Sequence, residues 1–469
     1  MPSRMISVLI VVSWTGHHPS HCVQLIRACA SFSGRIYVLC PQEANPIEQL
    51  GGPADVVEKI TVMFHTNRAP KKSFKEFSDL AADLRELQSL VTSIAQANSG
   101  EETFVYHTCL DSLFNTVWHL PMLALRIRKL FPLPFSGLLL APDRRWPFNG
   151  ARRWFGRHWG NSGDGAKPVA FVNWVVDRVL TGASEILRRY YLWQRNLVLR
   201  RSSCQRIAVL DERYMDWLKL KTGKMIVRMP ETFSVDVSDP PPALVRMISE
   251  RRQSSAIVVG LLGVLDRRKC LDVLVNVIRE AKTDEFLFII AGAYAPGTLP
   301  GRDQAFLEEA AGKHTNVVFS PEAIPSEGDF NAVVQSCDIL FCVYRDHLHS
   351  SGVVSRAAAF RKQVLVNSGG LMANQVEEYS LGYVLTDFSA KACLEALRQM
   401  SQRKEFLSVE RAAVYAAFME DHSFGRFEET LRTLSKTTVK CEQPVLGLPT
   451  NAPTSVGKSP LLDRHRQDR

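Results

Sequence analysis

The segment from Asn316 to Val384 decides the fold and reads NVVFSPEAIPSEGDFNAVVQSCDILFCVYRDHLHSSGVVSRAAAFRKQVLVNSGGLMANQVEEYSLGYV. It contains three short apolar runs, at 317–319, 339–343 and 364–366. Runs of this length, rich in β-branched or aromatic residues and followed by polar residues or glycine, are typical of buried parallel strands. Between these three runs, apolar residues recur at the spacing of a helix. In such β–loop–α units, phosphate and sugar sites form in the small flexible loops that follow the strands.

The same alternation extends on both sides of this segment. Apolar runs at 256–262 (AIVVGLL) and 286–291 (FLFIIA), each followed by glycine, predict two further buried strands before it. The N-terminal half opens with a strand at 6–12, a loop containing Gly16, a helix and a strand at 35–40. This opening is Rossmann-like, but a single glycine in place of GxGxxG gives little support for a dinucleotide cofactor. The sequence therefore predicts an α/β protein with two Rossmann-like halves.

Length, charge and cysteine content limit the class of protein. At 469 residues the chain is long enough for two domains, and its net charge of +9 favours anionic partners. The ten cysteines form no CxxC pair and no metal-ligand spacing, which indicates buried thiols in a reducing compartment. The apolar run at 6–12 is too short to span a membrane and lacks a cleavage site, so we interpret it as a first buried strand. These features predict a cytoplasmic protein.

A basic and aromatic segment stands out in the first half. Between residues 144 and 159 the sequence interleaves five arginines with three tryptophans, at Arg144, Arg145, Trp146, Arg152, Arg153, Trp154, Arg157 and Trp159. Such a segment fits an anionic membrane surface or an anionic ligand, and equally a solvated loop anchored on its own domain. Nucleic acid is the weakest interpretation, because no groove-reading or single-strand-binding motif accompanies the charges. The first interpretation predicts peripheral attachment to the inner face of a membrane.

The second half resembles the GT-B glycosyltransferases, especially the large retaining family 4. The resemblance covers about 257–434 and begins with VVGLLGVLDRRKCLDVLVNVIREA, in which Gly263 and Lys269 match a loop glycine and a lysine that holds the donor diphosphate. The segments NVVFSPEAIPSEGDFNAVVQSCDILFCVYR and HSFGRFEETL resemble later family segments. The resemblance implies two Rossmann-like domains facing across a cleft, with a C-terminal helix that crosses back to the N-terminal domain.

The Pro-rich stretch Asp236 to Ala243 is the best interdomain linker in the chain. Together with the resemblance it places an N-terminal acceptor-binding domain at 1–235 and a linker at 236–254. A C-terminal nucleotide-sugar-binding domain follows at 255–420, then a crossover helix at 421–435. From 436 to 469 the sequence is rich in proline, serine, threonine and charge and predicts a disordered tail.

The resemblance also implies a set of site residues. Those matched to donor binding are Gly16, Gly263, Arg268, Lys269, Ser351, Gly352, Arg356, Gly369 and Gly370. His107, at the end of a central strand, matches a histidine that faces the sugar, and His17 is a candidate to assist the leaving group or the acceptor. No P-loop, HExxH motif or nucleophile elbow is present, so the sequence offers no other catalytic site of these kinds.

One departure from the family pattern bears on activity. The family carries two glutamates eight positions apart at the donor site, and Leu348 and Arg356 stand at those places here. Arg356 has no hydrogen-bond acceptor and so does not replace a carboxylate, although it is able to contact phosphate.

The resemblance implies a hexosyltransferase that uses a nucleotide-diphosphate sugar and a glycan or lipid-linked acceptor, with retention of configuration and without a metal or cofactor. Two alternatives stay open. One is a catalytically weak GT-B protein that acts as a sugar-binding or partner subunit, and the other is a nucleotide-sugar epimerase.

Overall fold

The computed structural model describes residues 5–11, 18–42, 44, 46–50, 54–65, 77–111, 120–140, 186, 188–252, 256–294, 298–299, 301–313, 316–402, 409–436 and 438–439. Three sequence predictions lie outside these residues: Gly16, His17 and the basic aromatic segment at 144–159.

The N-terminal half forms a sheet of seven parallel strands. The strands are β1 (Met5–Ile10), β2 (Arg35–Cys40), β3 (Ile60–Phe64), β4 (Glu102–His107), β5 (Phe135–Leu139), β6 (Cys204–Val209) and β7 (Met225–Arg228), in the order β3-β2-β1-β4-β5-β6-β7. Its helices are α1 (His18–Ala30), α2 (Pro46–Leu50), α3 (Ala54–Val57), α4 (Phe77–Ala97), α5 (Leu120–Leu130), α6 (188–201) and α7 (Met215–Thr222).

The C-terminal half forms a second, six-stranded parallel sheet. Its strands are β8 (Ile257–Leu262), β9 (Phe286–Ala291), β10 (Val317–Ser320), β11 (Ile339–Cys342), β12 (Gln363–Asn367) and β13 (Gly382–Leu385), in the order β10-β9-β8-β11-β12-β13. The helices are α8 (Ala243–Arg251), α9 (Leu271–Glu280), α10 (Gly301–Lys313), α11 (Glu327–Ser336), α12 (Gly352–Ala359), α13 (Leu371–Glu378), α14 (Ala390–Gln402) and α15 (Val409–Asp421).

Both sheets are buried on both faces, which is why their strands read as continuous apolar runs. Every residue of β9 is buried, and separate hydrophobic clusters cover the two faces of each sheet. The nine cysteines of the described residues are buried free thiols, as the sequence predicts. In each sheet the strand order reverses beside one central strand, at β1/β4 and at β8/β11. Ligands of open α/β sheets bind at such reversals, beyond the carboxyl ends of the strands.

The last helix, α16 (Phe424–Ser435), crosses back to the N-terminal domain, and this prediction is confirmed. Its side chains Phe427, Leu431 and Leu434 are fully buried in the core of the N-terminal domain. The hydroxyl of Ser136 on β5 donates to the Leu434 carbonyl at 3.3 Å. The crossing helix therefore contributes to the first domain although it follows the second in sequence.

Two segments of the C-terminal half show how its elements follow one another. The 236–254 linker contains α8, whose Ile248 packs in the core of the C-terminal domain. The prolines precede this helix, where a missing N–H costs nothing, so they bound it and do not prevent it. Helix α13 ends at Glu378, and after a short turn β13 pairs in parallel with β12.

Two further features involve β4 and β5 in the middle of the N-terminal sheet. In the segment from 120, α5 and β5 form on either side of Pro132 and Pro134. Within the predicted disordered tail, Thr438–Val439 form a short strand, β14, antiparallel to β4. Its backbone groups extend the ladder of β4, which pairs with β5 only near its C-terminal end.

Candidate functional site

Two glycines join the loops that follow β8 and β9. Gly263 has a φ of +86° and donates its N–H to the Ala291 carbonyl at 2.9 Å. Gly292 has a φ of +133°, and a Cβ atom there would lie 2.3 Å from the carbonyl oxygen of Gly263. Only glycine allows both the positive φ and this approach of backbone to backbone. The glycines thus fix the loop that begins the predicted donor site.

Lys269 lies at the end of a 3₁₀ turn, Arg267–Lys269, which Asp266 caps by accepting from the Arg268 N–H. Its side chain is buried, with 4% of its surface exposed, and its ammonium donates to the carbonyl of Leu262. The ammonium also lies 5.6 Å from the ring centroid of Tyr344. Burial lowers the pKa of Lys269 to about 8. The site therefore holds a buried cation at the carboxyl end of β8.

Arg268 also lies close to the ring of Tyr344. Its guanidinium lies 5.5 Å from the Tyr344 centroid, and its Nη1 is 3.4 Å from Nδ1 of His347. Burial lowers the pKa of His347 to about 4, so this imidazole is neutral at physiological pH. Arginine is always a donor, so His347 accepts at Nδ1 and donates from Nε2 to the Ser350 carbonyl, 3.0 Å away. The loop before α12 is thereby tied to the turn that carries Lys269.

The N-terminus of α12 completes this group of residues. Ser351 caps the helix, accepting from the Val353 N–H at 3.4 Å, and its Oγ lies 3.4 Å from the hydroxyl of Tyr344. Gly352 begins the helix and is buried. Tyr344 thus links the Lys269 ammonium to a helix N-terminus, and both a cation and unsatisfied backbone N–H groups favour a bound anion.

The structure gives Arg356 different partners from the phosphate considered in the sequence analysis. Its guanidinium forms an ion pair with Glu327, and its Nε donates to Oδ1 of Asn331 at 3.0 Å. The rings of Phe233 and Phe330 lie 5.6 and 5.4 Å from it. Through these contacts Arg356, which lies on α12, is joined to α11 and to the interdomain segment that contains Phe233.

Glu231 is a functional candidate that the sequence analysis does not single out. It follows β7, and its Oε2 accepts from the Ser355 hydroxyl of α12 at 3.3 Å. Its Oε1 lies 3.9 Å from the Cβ position of Gly352. Burial raises the pKa of this carboxyl group, and the nearby Arg356 opposes the shift. A carboxylate is therefore present beside α12, although it comes from a residue more than 100 positions earlier in the chain.

The predicted glycine turn after β12 contains two glycines in different surroundings. Gly369 has a φ of +91°, and no atom lies within 4 Å of the place a Cβ would take. At Gly370 a Cβ would lie 2.9 Å from the carbonyl oxygen of His347, and the next residue, Leu371, donates its N–H to the Leu348 carbonyl at 3.0 Å. The turn thus packs directly against the loop before α12.

His107 ends β4, as the sequence predicts, at the strand reversal of the N-terminal sheet. Only 4% of its surface is exposed, and its Nδ1 accepts from the Cys109 N–H at 3.4 Å. Its Nε2 is buried and has no hydrogen-bond partner among the described residues. Burial lowers the pKa of His107 to about 4, and the neighbouring His65 adds to this shift. Few buried polar atoms in proteins lack a partner, so this atom is a candidate for contact with a ligand or water.

The lowered pKa of His107 predicts a pH dependence of stability. The unfolded histidine takes up a proton near its ordinary pKa of 6.5, whereas the folded one stays neutral down to about 4. Stability from this group is thus complete above pH 6.5 and is lost as the pH falls toward 4, by about 2 kcal/mol between pH 7 and pH 5. We expect His107→Gln to reduce the fall in unfolding free energy, measured by urea denaturation at both pH values. His347 supplies part of the remaining slope, so His347→Gln is the companion variant. An unchanged slope in His107→Gln would contradict the prediction.

Within the part of the chain that the structure describes, no group of three or more His, Cys, Asp or Glu side chains is arranged to hold a metal ion. Among the same residues, no helix combines the length and apolar character needed to cross a membrane.

The sequence matches no family model and no curated protein, but the fold has clear structural relatives. Sucrose-phosphate synthase from Thermosynechococcus elongatus aligns with a TM-score of 0.58 at 11% identity, over 92% of this chain and 98% of that one. A glycosyltransferase from Rickettsia africae aligns with a TM-score of 0.59 at 10% identity, over 93% and 98%. HepE from Anabaena in complex with UDP aligns with a TM-score of 0.55 at 13% identity, over 92% and 99%.

These alignments cover both domains and define the class of fold. The chain has the GT-B architecture, in which two parallel-sheet Rossmann-like domains are joined by a linker and a C-terminal crossover helix. The fold class predicted from the sequence is confirmed. Likeness at this level of identity shows architecture alone, so the activity has to be argued from the residues of the site.

Proposed function

We propose that the protein is a glycosyltransferase that moves a hexosyl unit from a nucleotide-diphosphate sugar to a glycan or lipid-linked acceptor. The proposal includes retention of anomeric configuration and no need of a metal or cofactor. The N-terminal domain is proposed to hold the acceptor and the C-terminal domain the donor.

One observation carries this proposal: a buried lysine ammonium and a helix N-terminus meet at the strand reversal of the C-terminal sheet. Lys269 and Ser351 are joined there through Tyr344, with contacts of 5.6 and 3.4 Å. When the anomeric C–O bond of a nucleotide sugar breaks, negative charge develops on the leaving diphosphate. A preorganised cation and aligned backbone dipoles, shielded from water, stabilise such charge more than they stabilise the ground state. The UDP complex of the HepE relative is consistent with a nucleotide at this architecture.

The alternative of a catalytically weak sugar-binding or partner subunit is favoured by one specific observation. Leu348 and Arg356 stand where the family pattern has its glutamates, and the Arg356 guanidinium is engaged by Glu327 and Asn331. Glu231 supplies a carboxyl group nearby. It accepts a hydrogen bond from Ser355, which lies on the same helix as Arg356. Under the glycosyltransferase proposal, Glu231 takes part in donor binding, although its position in the sequence gives no indication of this role.

Nucleotide binding and turnover distinguish these functions. In a thermal-shift panel of UDP, GDP and their sugars, we expect one nucleotide to stabilise the protein, because a ligand at 100 times its Kd adds about 2.7 kcal/mol. Release of free hexose or transfer to an acceptor, with the nucleotide sugar consumed, is then expected for a transferase. No shift with any nucleotide would contradict a donor site of this kind. Binding without turnover would indicate the partner subunit, and an epimerised nucleotide sugar would indicate the epimerase.

A further inference from the structure

Helix α5 exposes apolar and basic side chains and contains no acidic residue. Its sequence is LPMLALRIRKL. Leu123, Ala124 and Ile127 pack into the core, whereas Met122 and Leu125 are 42% and 68% exposed. The exposed residues beside them are the basic ones, Arg126, Arg128 and Lys129. Leucine exposed to this extent on a helix that already buries a full apolar face is unexplained by the fold itself.

Helix α6 has the same character. Residues 188–201 read RRYYLWQRNLVLRR, again without a carboxylate. Tyr190 and Trp193 are 41% and 59% exposed, and their rings lie 6.1 Å apart. The exposed basic residues are Arg189, Arg200 and Arg201. An exposed aromatic pair flanked by arginines on a second helix repeats the pattern of α5.

The two helices lie on the same side of the N-terminal sheet. α5 runs between β4 and β5, α6 runs between β5 and β6, and these three strands are neighbours. Buried residues of both helices, such as Ile127 and Leu199, belong to one hydrophobic cluster. Their outer sides therefore form one surface, the basic apolar face, made of Met122, Leu125, Arg126, Arg128, Lys129, Arg189, Tyr190, Trp193, Arg200 and Arg201.

We propose that the basic apolar face docks on an anionic lipid surface. Leucine, methionine, tyrosine and tryptophan insert into the boundary between headgroups and acyl chains, and arginine and lysine bind anionic headgroups at the same depth. A second copy of the chain fits less well, because a two-fold contact would bring this face, which carries no carboxylate on either helix, against itself. The inference rests on the proposed function, because a lipid-linked acceptor would reach the acceptor-binding domain at this surface.

Vesicle co-sedimentation of the full chain tests the proposal. We expect the protein to bind vesicles that contain about one third phosphatidylglycerol, to bind pure phosphatidylcholine at least about tenfold more weakly, and to be released by salt. Leu125→Ser with Trp193→Ser should lower binding to the anionic vesicles about tenfold, since both remove apolar surface from the contact. Arg126→Gln with Lys129→Gln should lower it by a similar factor and reduce the salt dependence.

Matched substitutions in the C-terminal domain provide the control. Phe388→Ser removes an aromatic side chain that is 38% exposed, and Arg302→Gln removes a cation whose side chain is 85% exposed. Neither substitution should change vesicle binding by more than about twofold, because neither residue lies on the basic apolar face. Binding that is absent, that ignores lipid charge, or that falls equally in the controls overturns the proposal. So does a loss of self-association in Leu125→Ser with Trp193→Ser, which would assign the face to a second copy.

Nucleotide thermal shifts measured on the same variants separate this inference from the proposed function. The face lies on the N-terminal domain, so its variants should keep the nucleotide shift of the parent. A protein that binds anionic vesicles but no nucleotide would sink the glycosyltransferase proposal and leave the docking face in place.

Discussion

Replacing Lys269 with methionine should weaken binding of a nucleoside diphosphate at least about thirtyfold, or about 2 kcal/mol. Methionine keeps the length and the apolar packing of the side chain and removes the ammonium. Lys269 is 4% exposed and its ammonium is bonded to the Leu262 carbonyl, so the ammonium has little water to lose when a diphosphate arrives. Isothermal titration with UDP and GDP measures the change.

Arg267 offers a matched control on the same 3₁₀ turn. Its side chain is exposed, whereas that of Lys269 is buried. Arg267→Met removes an equal charge two positions earlier in the chain, and the interactions of a charge exposed to water are weak. We therefore expect less than about a threefold change in Kd for Arg267→Met. Equal losses in the two variants would mean that net charge, and not the buried ammonium, determines nucleotide affinity.

The lowered pKa of Lys269 adds a pH test of the same assignment. With a pKa of about 8 in the free protein, the side chain is charged below pH 8 and increasingly neutral above it. Because the charged form binds the diphosphate, affinity should fall as the pH rises through 8, and this fall should be absent in Lys269→Met. A parent protein whose Kd is constant from pH 7 to pH 9, with Lys269→Met equal to it, would remove Lys269 from the donor site.

A feature of this fold can be predicted from the sequence when the residues that determine it lie close together in the chain. Strands such as β9 and β11 are short apolar runs bounded by glycine or polar residues, so a local pattern identifies them. β13 cannot be identified from a local pattern, because its residues GYVL are few and closely follow a helix, and only pairing with β12 makes them a strand. The existence of an element is local information, and its partner in the sheet is not.

The residues of the candidate site also fall into those that a local pattern indicates and those that only the fold brings together. Gly263, Lys269 and Ser351 are indicated by the family resemblance, and all three follow strands in the chain, where ligand sites of parallel sheets form. Glu231 is brought to α12 by the folding of the interdomain segment, with Asn331 holding that segment by donating to the Ser234 carbonyl at 2.9 Å. No sequence spacing relates Glu231 to Ser355. The ion pair of Arg356 with Glu327 is likewise not visible in the sequence, because the two residues lie 29 positions apart on different helices.

Gly292→Ala should destabilise the protein by at least about 3 kcal/mol, through steric strain at a backbone position that permits no relief. The φ of +133° is one that residues with a Cβ rarely adopt. The added Cβ would lie 2.3 Å from the carbonyl oxygen of Gly263 and 2.6 Å from its carbonyl carbon. Since the obstacle is backbone and not the end of a flexible side chain, the loops after β8 and β9 have to separate. Urea denaturation, followed by circular dichroism, measures the loss.

Two other glycines show whether the effect comes from this close approach. Gly312→Ala in α10 places a Cβ in open space, so it should not destabilise and should gain up to about 1 kcal/mol from helix propensity. Gly263→Ala places a Cβ 2.9 Å from Nζ of Lys269, a group that is able to move, so its cost in stability should be smaller than that of Gly292→Ala.

Moving the Lys269 ammonium has a consequence for binding, however, and this separates the two variants further. Gly263→Ala should weaken nucleotide binding out of proportion to its loss of stability, because the displaced group is the proposed diphosphate ligand. Gly292→Ala should lose both together, because the loop that carries Gly263 is itself displaced. A Gly292→Ala protein within about 1 kcal/mol of the parent, with nucleotide binding intact, would show that the two loops do not hold the donor site in position.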